Sequence, residues 1–277
     1  MNTNKEIPEK NIFKAYDIRG VVGKTLTDSS VLQIGKSIGS EALEQNQKDI
    51  CVGYDGRLSS PHMFNLLSKG LLSTGINVVN IGLVTTPMLY FSTHHLNTQS
   101  GIMITGSHNP PEYNGFKIVI NSKTLSTDDI QALYKRIIKE EYLFGKGKMS
   151  NSDLKPAYLE KIYSDIKLAR PIRVAIDCGN GAASICAEEL YKGIGAQVES
   201  LFCNIDGSFP NHHPDPSNLK NLVSLQEALL KGESELGLAF DGDGDRLGVV
   251  TKKGEIIFPD RQLLLFAEDV LKKNPGA

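Results

Sequence analysis

One order of signals occurs twice in the 277 residues, and it limits the folds open to the chain. Residues 50–54 are a short apolar run that ends on the turn Asp55-Gly56-Arg57. Ser60-Pro61 then opens a helical stretch, with proline where a missing N–H leaves no intrahelical bond unmade. Gly75 stops that helix, and residues 77–81 form a second apolar run. Residues 173–177, Cys178-Gly179-Asn180-Gly181, a helical stretch through Ile185, Leu190 and Ile194, the stops Gly193 and Gly195, and residues 196–202 repeat the order. Two strands joined through a helix pair in parallel with a right-handed crossover. The chain is therefore expected to be α/β, folded as two similar mixed-sheet domains.

Apolar residues at helical spacing predict the remaining helices. Val31, Ile34, Ile38 and Leu43 follow a cap at Ser29 or Ser30, and Pro87 opens a helix through residues 88–95. Ile130, Leu133, Tyr134, Ile137 and Ile138 follow the cap cluster Ser126-Thr127-Asp128-Asp129. Further helices are expected at residues 155–167, 219–230 and 259–273, the last carrying Leu263, Leu264, Phe266, Ala267, Val270 and Leu271 as its apolar residues. Gly145-Lys146-Gly147-Lys148 and the polar residues up to Asp153 read as a linker. The first domain boundary is expected there. Residues 1–10 are polar and expected to fray.

Thr105-Gly106-Ser107-His108-Asn109-Pro110 follows the apolar run 101–104 and precedes a second proline, Pro111, which cannot extend a sheet. Ser107 thus falls on a sharp loop at a strand end, where Gly106 is expected to let the backbone approach a ligand. Lys117 begins the apolar run 118–120, expected to pair back across the Pro-Pro turn. A serine so placed is a candidate nucleophile or phosphate carrier.

The second chemical stretch is Asp241-Gly242-Asp243-Gly244-Asp245-Arg246, flanked by the apolar runs 236–240 and 247–250. Three carboxylates at alternate positions repel one another unless a cation binds them, and hard cations such as Mg²⁺ take oxygen ligands. A calcium EF-hand loop counted from Asp241 fails, because it would place Arg246 at the glycine position and Lys252 at the glutamate position. An Asp-x-Asp phosphatase of the haloacid-dehalogenase type fits less well, with Gly244 where threonine usually follows. From the residues alone, a serine loop and a hard-metal loop together indicate phosphoryl transfer.

These two stretches, with Phe13-Lys14-Ala15-Tyr16-Asp17-Ile18-Arg19-Gly20, resemble the phosphoserine loop, the metal loop and the N-terminal signature of the α-D-phosphohexomutases. The match is to the bacterial phosphomannomutase/phosphoglucomutase branch. The resemblance implies interconversion of mannose or glucose 1-phosphate and 6-phosphate through a hexose 1,6-bisphosphate. It implies that Ser107 carries the phosphoryl group, and that Mg²⁺ is held by Asp241, Asp243, Asp245 and an oxygen on Ser107. Arg246 then binds phosphate and Asn109 orders the loop. Arg19, which alone would read as a surface charge, becomes a phosphate-facing guanidinium. Lys117, with Arg19 and His108 close by, is implied to handle the hydroxyl proton, its pKa lowered by neighbouring cations. Glycine before the serine fits this branch better than the glucosamine branch, where alanine is common. The family has a third and a fourth domain, with an acidic-Ser-Gly-His sugar loop and an Arg-x-Ser-Gly-Thr phosphate loop. Neither loop occurs in these 277 residues, so the resemblance implies a phosphoserine domain at 1–150, a metal-binding domain at 151–255 and the start of a third at 256–277. The rival readings are a metal-dependent phosphatase and a non-catalytic module that binds Mg²⁺ and a phosphosugar or a partner.

Composition narrows the partners. A net charge of -2 is no footprint for nucleic acid, and 40% hydrophobic with 22% charged residues is globular. No run is long and apolar enough to span a bilayer, and Met1-Asn2-Thr3-Asn4-Lys5-Glu6 lacks the order of a signal peptide, so a cytoplasmic protein is expected. Cys51, Cys178, Cys186 and Cys203 show no C-x-x-C spacing and are expected to be buried free thiols. His94-His95 read as solvated helix-end histidines. His212 and His213, in a proline-stiffened loop with Asp215, read as polar cleft residues in preference to zinc ligands. Gly179-Asn180-Gly181 reads equally as an anion cradle or a tight turn. Nothing in the sequence sets an oligomeric state.

Overall fold

The computed structural model describes residues 7–276, so the expectations for residues 1–6 and for Ala277 lie outside the described residues. One sheet contains β1 (Ile18–Val21), β2 (Asp49–Tyr54), β3 (Asn77–Leu83), β4 (Gly101–Ile104), β5 (Tyr113–Ile120), β6 (Lys123–Thr124) and β7 (Met149–Asn151). Its order is β1-β5-β4-β2-β3-β7, with β6 paired to β5. The other contains β8 (Arg173–Asp177), β9 (Gln197–Leu201), β10 (Leu236–Phe240), β11 (Leu247–Thr251) and β12 (Ile256–Ile257), in the order β12-β11-β10-β8-β9. The second order matches β1-β5-β4-β2-β3 strand for strand. In each sheet the central strand runs parallel to two neighbours, and the next two pairings outward are antiparallel. The duplicated mixed-sheet α/β architecture expected from the repeated signals is present.

The helices are α1 (Asp28–Glu44), α2 (Ser60–Leu72), α3 (Thr86–His95), α4 (Thr127–Lys139), α5 (Lys155–Asp165), α6 (Ala187–Gly193), α7 (Val223–Lys231) and α8 (Pro259–Lys273). Side chains alternate across a strand. Ile50 and Val52 of β2 therefore meet Ile34 and Ile38 of α1 and Leu67 and Leu71 of α2 on one face. Cys51 between them faces Met88 and Leu89 of α3. Each such fully buried aliphatic side chain contributes roughly 1.5–3 kcal/mol. Leu159 of α5 and Cys186 lie in the α3 cluster, so α5 bridges the helical layers of the two sheets.

Several local expectations need revision. The cap of α1 is Thr27, whose side chain accepts from Ser30 N; the Ser30 hydroxyl itself turns back to Thr27 O. Residues 149–151 are not linker but β7, because their extended backbone pairs in parallel with the otherwise open edge of β3. Lys117 lies in the middle of β5, which starts at Tyr113, since pairing with β1 and β4 runs through the segment read as turn. The helix expected through Ile185 and Ile194 breaks at Cys186 into a 3₁₀ turn (Ala182–Ile185) and α6. The one expected from residue 219 begins as a 3₁₀ turn (Leu219–Leu222) before α7. The apolar residues of α8 are exposed, Leu264 at 72%, because no described element covers that face.

Candidate active site

Both chemical stretches are the turns that follow the same strand of each repeat: the serine stretch joins β4 to β5, and the acidic stretch joins β10 to β11. The two turns meet. Ser107 Oγ donates to Asp241 Oδ2 at 2.9 Å, across the join between the two sheets. A Cβ on Gly242 would lie 2.4 Å from Ser107 O, so glycine is what allows this approach.

The serine turn is built from beneath. Asp55, at the end of β2, accepts from Thr105 Oγ1 (2.8 Å) and Gly106 N (3.3 Å). It also pairs with Arg57 Nε at 3.2 Å, where both side chains are fully buried. The Arg57 guanidinium donates to the carbonyls of Ser107 (2.7 Å), Asn109 (2.7 Å), Pro110 (2.6 Å) and Tyr113 (3.0 Å). A planar fork of N–H groups is suited to gathering carbonyls in this way. Ser107 itself has φ 49°, a left-handed conformation uncommon for a non-glycine residue and here held on both sides by hydrogen bonds. The role expected for Gly106 changes accordingly: a Cβ there would meet Arg57 Cζ at 2.3 Å, so the close neighbour is the guanidinium and not a ligand.

Arg19 reaches the same turn from β1. It donates to Gly106 O at 2.9 Å and Asn109 Oδ1 at 2.5 Å, and pairs with Asp17 at 2.6 Å. Asn109 thus ties Arg19 to the loop. His108 Nδ1 lies 3.3 Å from Ser107 Oγ. Burial, then the charges of Arg246 and Arg19, hold His108 below the ordinary histidine pKa, so its imidazole is neutral near pH 7. Arg246 is exposed at the rim. An open cavity of about 430 Å³ is lined by Tyr16, Arg19, Ser107, His108, Lys117 and Arg246 among others.

The acidic turn is fixed by its own backbone. Asp241 Oδ1 accepts from Asp245 N and Arg246 N, both at 3.0 Å, and Gly244 turns at φ 73°. Thr86, at the start of α3, donates through Oγ1 to Asp243 Oδ2 at 2.6 Å and through its N–H to Asp243 O at 2.9 Å. One oxygen from each of Asp241, Asp243 and Asp245 lies within 4.8 Å of the others. Burial, followed by the charges of Asp243 and Asp245, pushes Asp241 up to about 8. Asp243 Oδ1 is buried and has no hydrogen-bond partner. A crowded, partly unpartnered oxygen set of this kind fits a hard divalent cation, whose charge would ionise Asp241 and satisfy Asp243.

Lys117 departs from expectation. Its Nζ donates to Asp243 Oδ2 at 2.6 Å and Asp245 Oδ2 at 2.5 Å. Burial works to lower its pKa, but these two carboxylates outweigh burial and hold it above the ordinary lysine value. The expected lowering is therefore replaced by a raised pKa, because the nearest charges are anions.

Some contributors were passed over as ordinary turn or cap residues. Asp55 and Arg57 read as a turn in the sequence, and Thr86 carries no signal of its own there. His213 donates a short hydrogen bond to His108 O, so the histidine loop does reach the cleft. His212 pairs with Asp177 at 2.9 Å, and among the described residues the only cluster that could hold a metal ion is the aspartate triad. Gly181 N donates to Cys178 O at 2.8 Å across Gly179 (φ 50°) and Asn180 (φ 59°), which closes the segment as a tight turn. His95 stacks on Phe91 at the end of α3, with centroids 5.0 Å apart. No helix among the described residues is long and apolar enough to cross a membrane.

Known proteins carry the same architecture. Residues 10–143 match "phosphoglucomutase/phosphomannomutase, alpha/beta/alpha domain I", and residues 156–254 match domain II of that family. A phosphoglucomutase of Neisseria gonorrhoeae is 53% identical over 270 residues, 97% of this chain and 59% of that protein. A phosphomannomutase/phosphoglucomutase of Pseudomonas aeruginosa is 50% identical over 267 residues, 96% of this chain and 58% of that protein. The crystal structure of a phosphoglucomutase/phosphomannomutase family protein from Burkholderia thailandensis superposes with a TM-score of 0.94 at 48% identity, covering 98% of this chain and 61% of that one. The chain thus spans about 59% of the length of the first of these relatives. With both domain matches in sequence order and the fold shared at high identity, the chain belongs to the phosphoglucomutase/phosphomannomutase family and carries its domains I and II.

Proposed function

We propose that this chain supplies the phosphoryl-carrying serine and the metal site of a hexose-phosphate mutase acting on mannose or glucose phosphates. The observation that carries the reading is the 2.9 Å contact between Ser107 Oγ and Asp241 Oδ2, which joins a strained serine turn to a carboxylate cluster. In this reading residues 1–150 hold the phosphoserine and residues 151–255 hold the metal. The identity to relatives named phosphoglucomutase and phosphomannomutase supports the substrate class. Gly106 before the serine is in keeping with this branch through the resemblance of the loop. Four free thiols are in keeping with a cytoplasmic setting.

Asp241, Asp243, Asp245 and an oxygen on Ser107 would hold Mg²⁺, which when bound offsets the charge of the moving phosphoryl group. The remaining work falls to the chain's own side chains. As Ser107 Oγ attacks a hexose 1,6-bisphosphate, its bond to phosphorus forms, the sugar oxygen–phosphorus bond breaks, and the hydroxyl proton passes to the neutral His108. The departing sugar oxygen takes a proton from the Lys117 ammonium, which lines the cleft beside Ser107. The reverse step returns the phosphoryl group to the other sugar hydroxyl and both protons to their donors. Arg19 and Arg246 bind phosphate oxygens, and Asn109 keeps Arg19 aimed.

Peptide mapping before and after incubation with Mg²⁺ and glucose 1,6-bisphosphate tests this reading. One phosphoryl group on Ser107 is expected, absent with a chelator and absent in Ser107→Ala. Label that persists in Ser107→Ala, or forms equally well in chelator, would sink it.

A further inference from the structure

The second repeat holds a pair of sulfur atoms that the proposed reaction does not use. Cys178 follows β8 and Cys203 follows β9, two adjacent parallel strands in register at Asp177 and Leu201. Cys178 N donates to Leu201 O at 3.2 Å, which fixes the ends of the strands side by side. The two Sγ atoms lie 3.3 Å apart. Bonded sulfurs sit at about 2.0 Å, so a closing of about 1 Å, within reach of small side-chain rotations, would join them.

We propose that Cys178 and Cys203 are an oxidative modification site, closing to a reversible disulfide when the protein meets a peroxide.

The two sulfurs differ in the way such a reaction requires. Cys203 is half-buried and open to a small oxidant; Cys178 is fully buried. The contact with Cys178 draws the Cys203 pKa down against the effect of burial. The same contact, then burial, holds Cys178 well above the ordinary thiol value. Thiolate character and access make Cys203 the first to react. Its sulfur attacks one peroxide oxygen, the O–O bond breaks, hydroxide leaves, and a sulfenic acid forms. Cys178 Sγ then attacks Cys203 Sγ, the S–S bond forms, the S–O bond breaks, and the oxygen leaves as water. Two thiols and one hydrogen peroxide thus give one disulfide and two waters, and a dithiol reductant reverses the change. Cys51 and Cys186 are unsuited to this chemistry: both are buried, and burial raises both, Cys186 to about 11.

The bond would lie at the base of the histidine loop. Asp177, next to Cys178, holds His212, and the Phe202 ring, next to Cys203, meets the edge of His212 at 5.3 Å between centroids. Oxidation there would tie together the two strand ends on which that loop rests.

The experiment uses the whole chain, reduced with dithiothreitol, freed of reductant and exposed to hydrogen peroxide. After quenching, free thiols are alkylated in denaturant and the protein is digested without reduction. The expected product is a linked Cys178–Cys203 peptide lacking two hydrogens, with Cys51 and Cys186 alkylated, and all four thiols recovered after fresh dithiothreitol. Cys203→Ser, at the more exposed position, should keep its far-ultraviolet dichroism and give no linked peptide. Cys203 recovered as an unlinked sulfinic acid, a linkage through Cys51 or Cys186, or four intact thiols after peroxide would each overturn the proposal.

Discussion

The β4–β5 turn and the β10–β11 turn occupy the same place in two sheets of the same topology, yet one is held by a donor group and the other by an acceptor. The serine turn closes around a buried cation: three of its carbonyls and that of Tyr113, which opens β5, converge on Arg57, which leaves the Ser107 hydroxyl facing the cleft. The acidic turn closes around a buried carboxyl group: two backbone N–H groups converge on Asp241 Oδ1, leaving Asp243 Oδ1 without a partner. A repeated fold therefore supplies two strand-end turns at matching heights, and the group buried in each decides what it presents. One presents a serine hydroxyl, the other three crowded carboxyl groups. The strand-end aspartates repeat the contrast. Asp55 is paired with arginine, charged at every accessible pH, whereas Asp177 is paired with histidine.

The comparison breaks most sharply at Arg57. Replacing it with Met removes one half of a fully buried ion pair and leaves Asp55 and four carbonyls short of a donor. A loss of about 3–5 kcal/mol is expected, read as a lower urea midpoint. Truncation on the other side, Asp177→Asn, keeps a hydrogen-bonding group of the same shape opposite His212 and should cost less. If Arg57→Met unfolds at the wild-type midpoint, the cradle of carbonyls is not what holds the serine turn.

Thr86 sharpens the comparison from the acidic side. Its hydroxyl and N–H, on a helix of the first repeat, hold Asp243 of the second. Thr86→Val keeps shape and removes the hydroxyl. Losses of about 10–100-fold in metal affinity are usual when a ligand's supporting hydrogen bond is removed. Calorimetric Mg²⁺ titration should show a loss of that size with the melting curve little changed. Unaltered affinity would mean that the acidic turn is set by its own backbone alone.

Much of this was legible in the residues because it is local. Strand–turn–helix order predicts parallel pairs, and alternating carboxylates between apolar runs predict a cation site. The parts that stayed hidden depend on distance in sequence. Asp55-Gly56-Arg57 reads as a turn, and nothing near it says that Arg57 will meet carbonyls of residues 107–113. The Lys117 pKa is hidden for the same reason: the motifs place cations around it, but Asp243 and Asp245, more than a hundred residues away in sequence, are the charges it touches. The linker reading at 145–153 failed because a polar, glycine-rich segment can still pair when an open strand edge is offered, and β3 offers one. The apolar side of α8 shows the converse limit: periodicity marks a face to be covered and says nothing of what covers it.

The smallest expected effect concerns the histidine partner of Asp177. Burial pulls the His212 pKa down, but its hydrogen bond to Asp177, its contact with the His213 carbonyl and the Asp177 charge together lift it above the ordinary value. A group that is more basic in the folded chain contributes stability below its unfolded pKa and loses it as pH rises through the folded one. Removing the imidazole by His212→Asn should therefore cost about 1 kcal/mol where histidine is protonated, below about pH 6, and less as the solution becomes alkaline. The Arg57–Asp55 pair, whose cation does not titrate over that range, should show no such change. Urea midpoints of wild type and His212→Asn across pH measure the difference directly. A gap that stays constant or widens with rising pH would show that the neutral imidazole holds Asp177 as well as the cation does. The two strand-end aspartates would then differ in partner but not in physics, and the contrast between the repeats would reduce to the turns themselves.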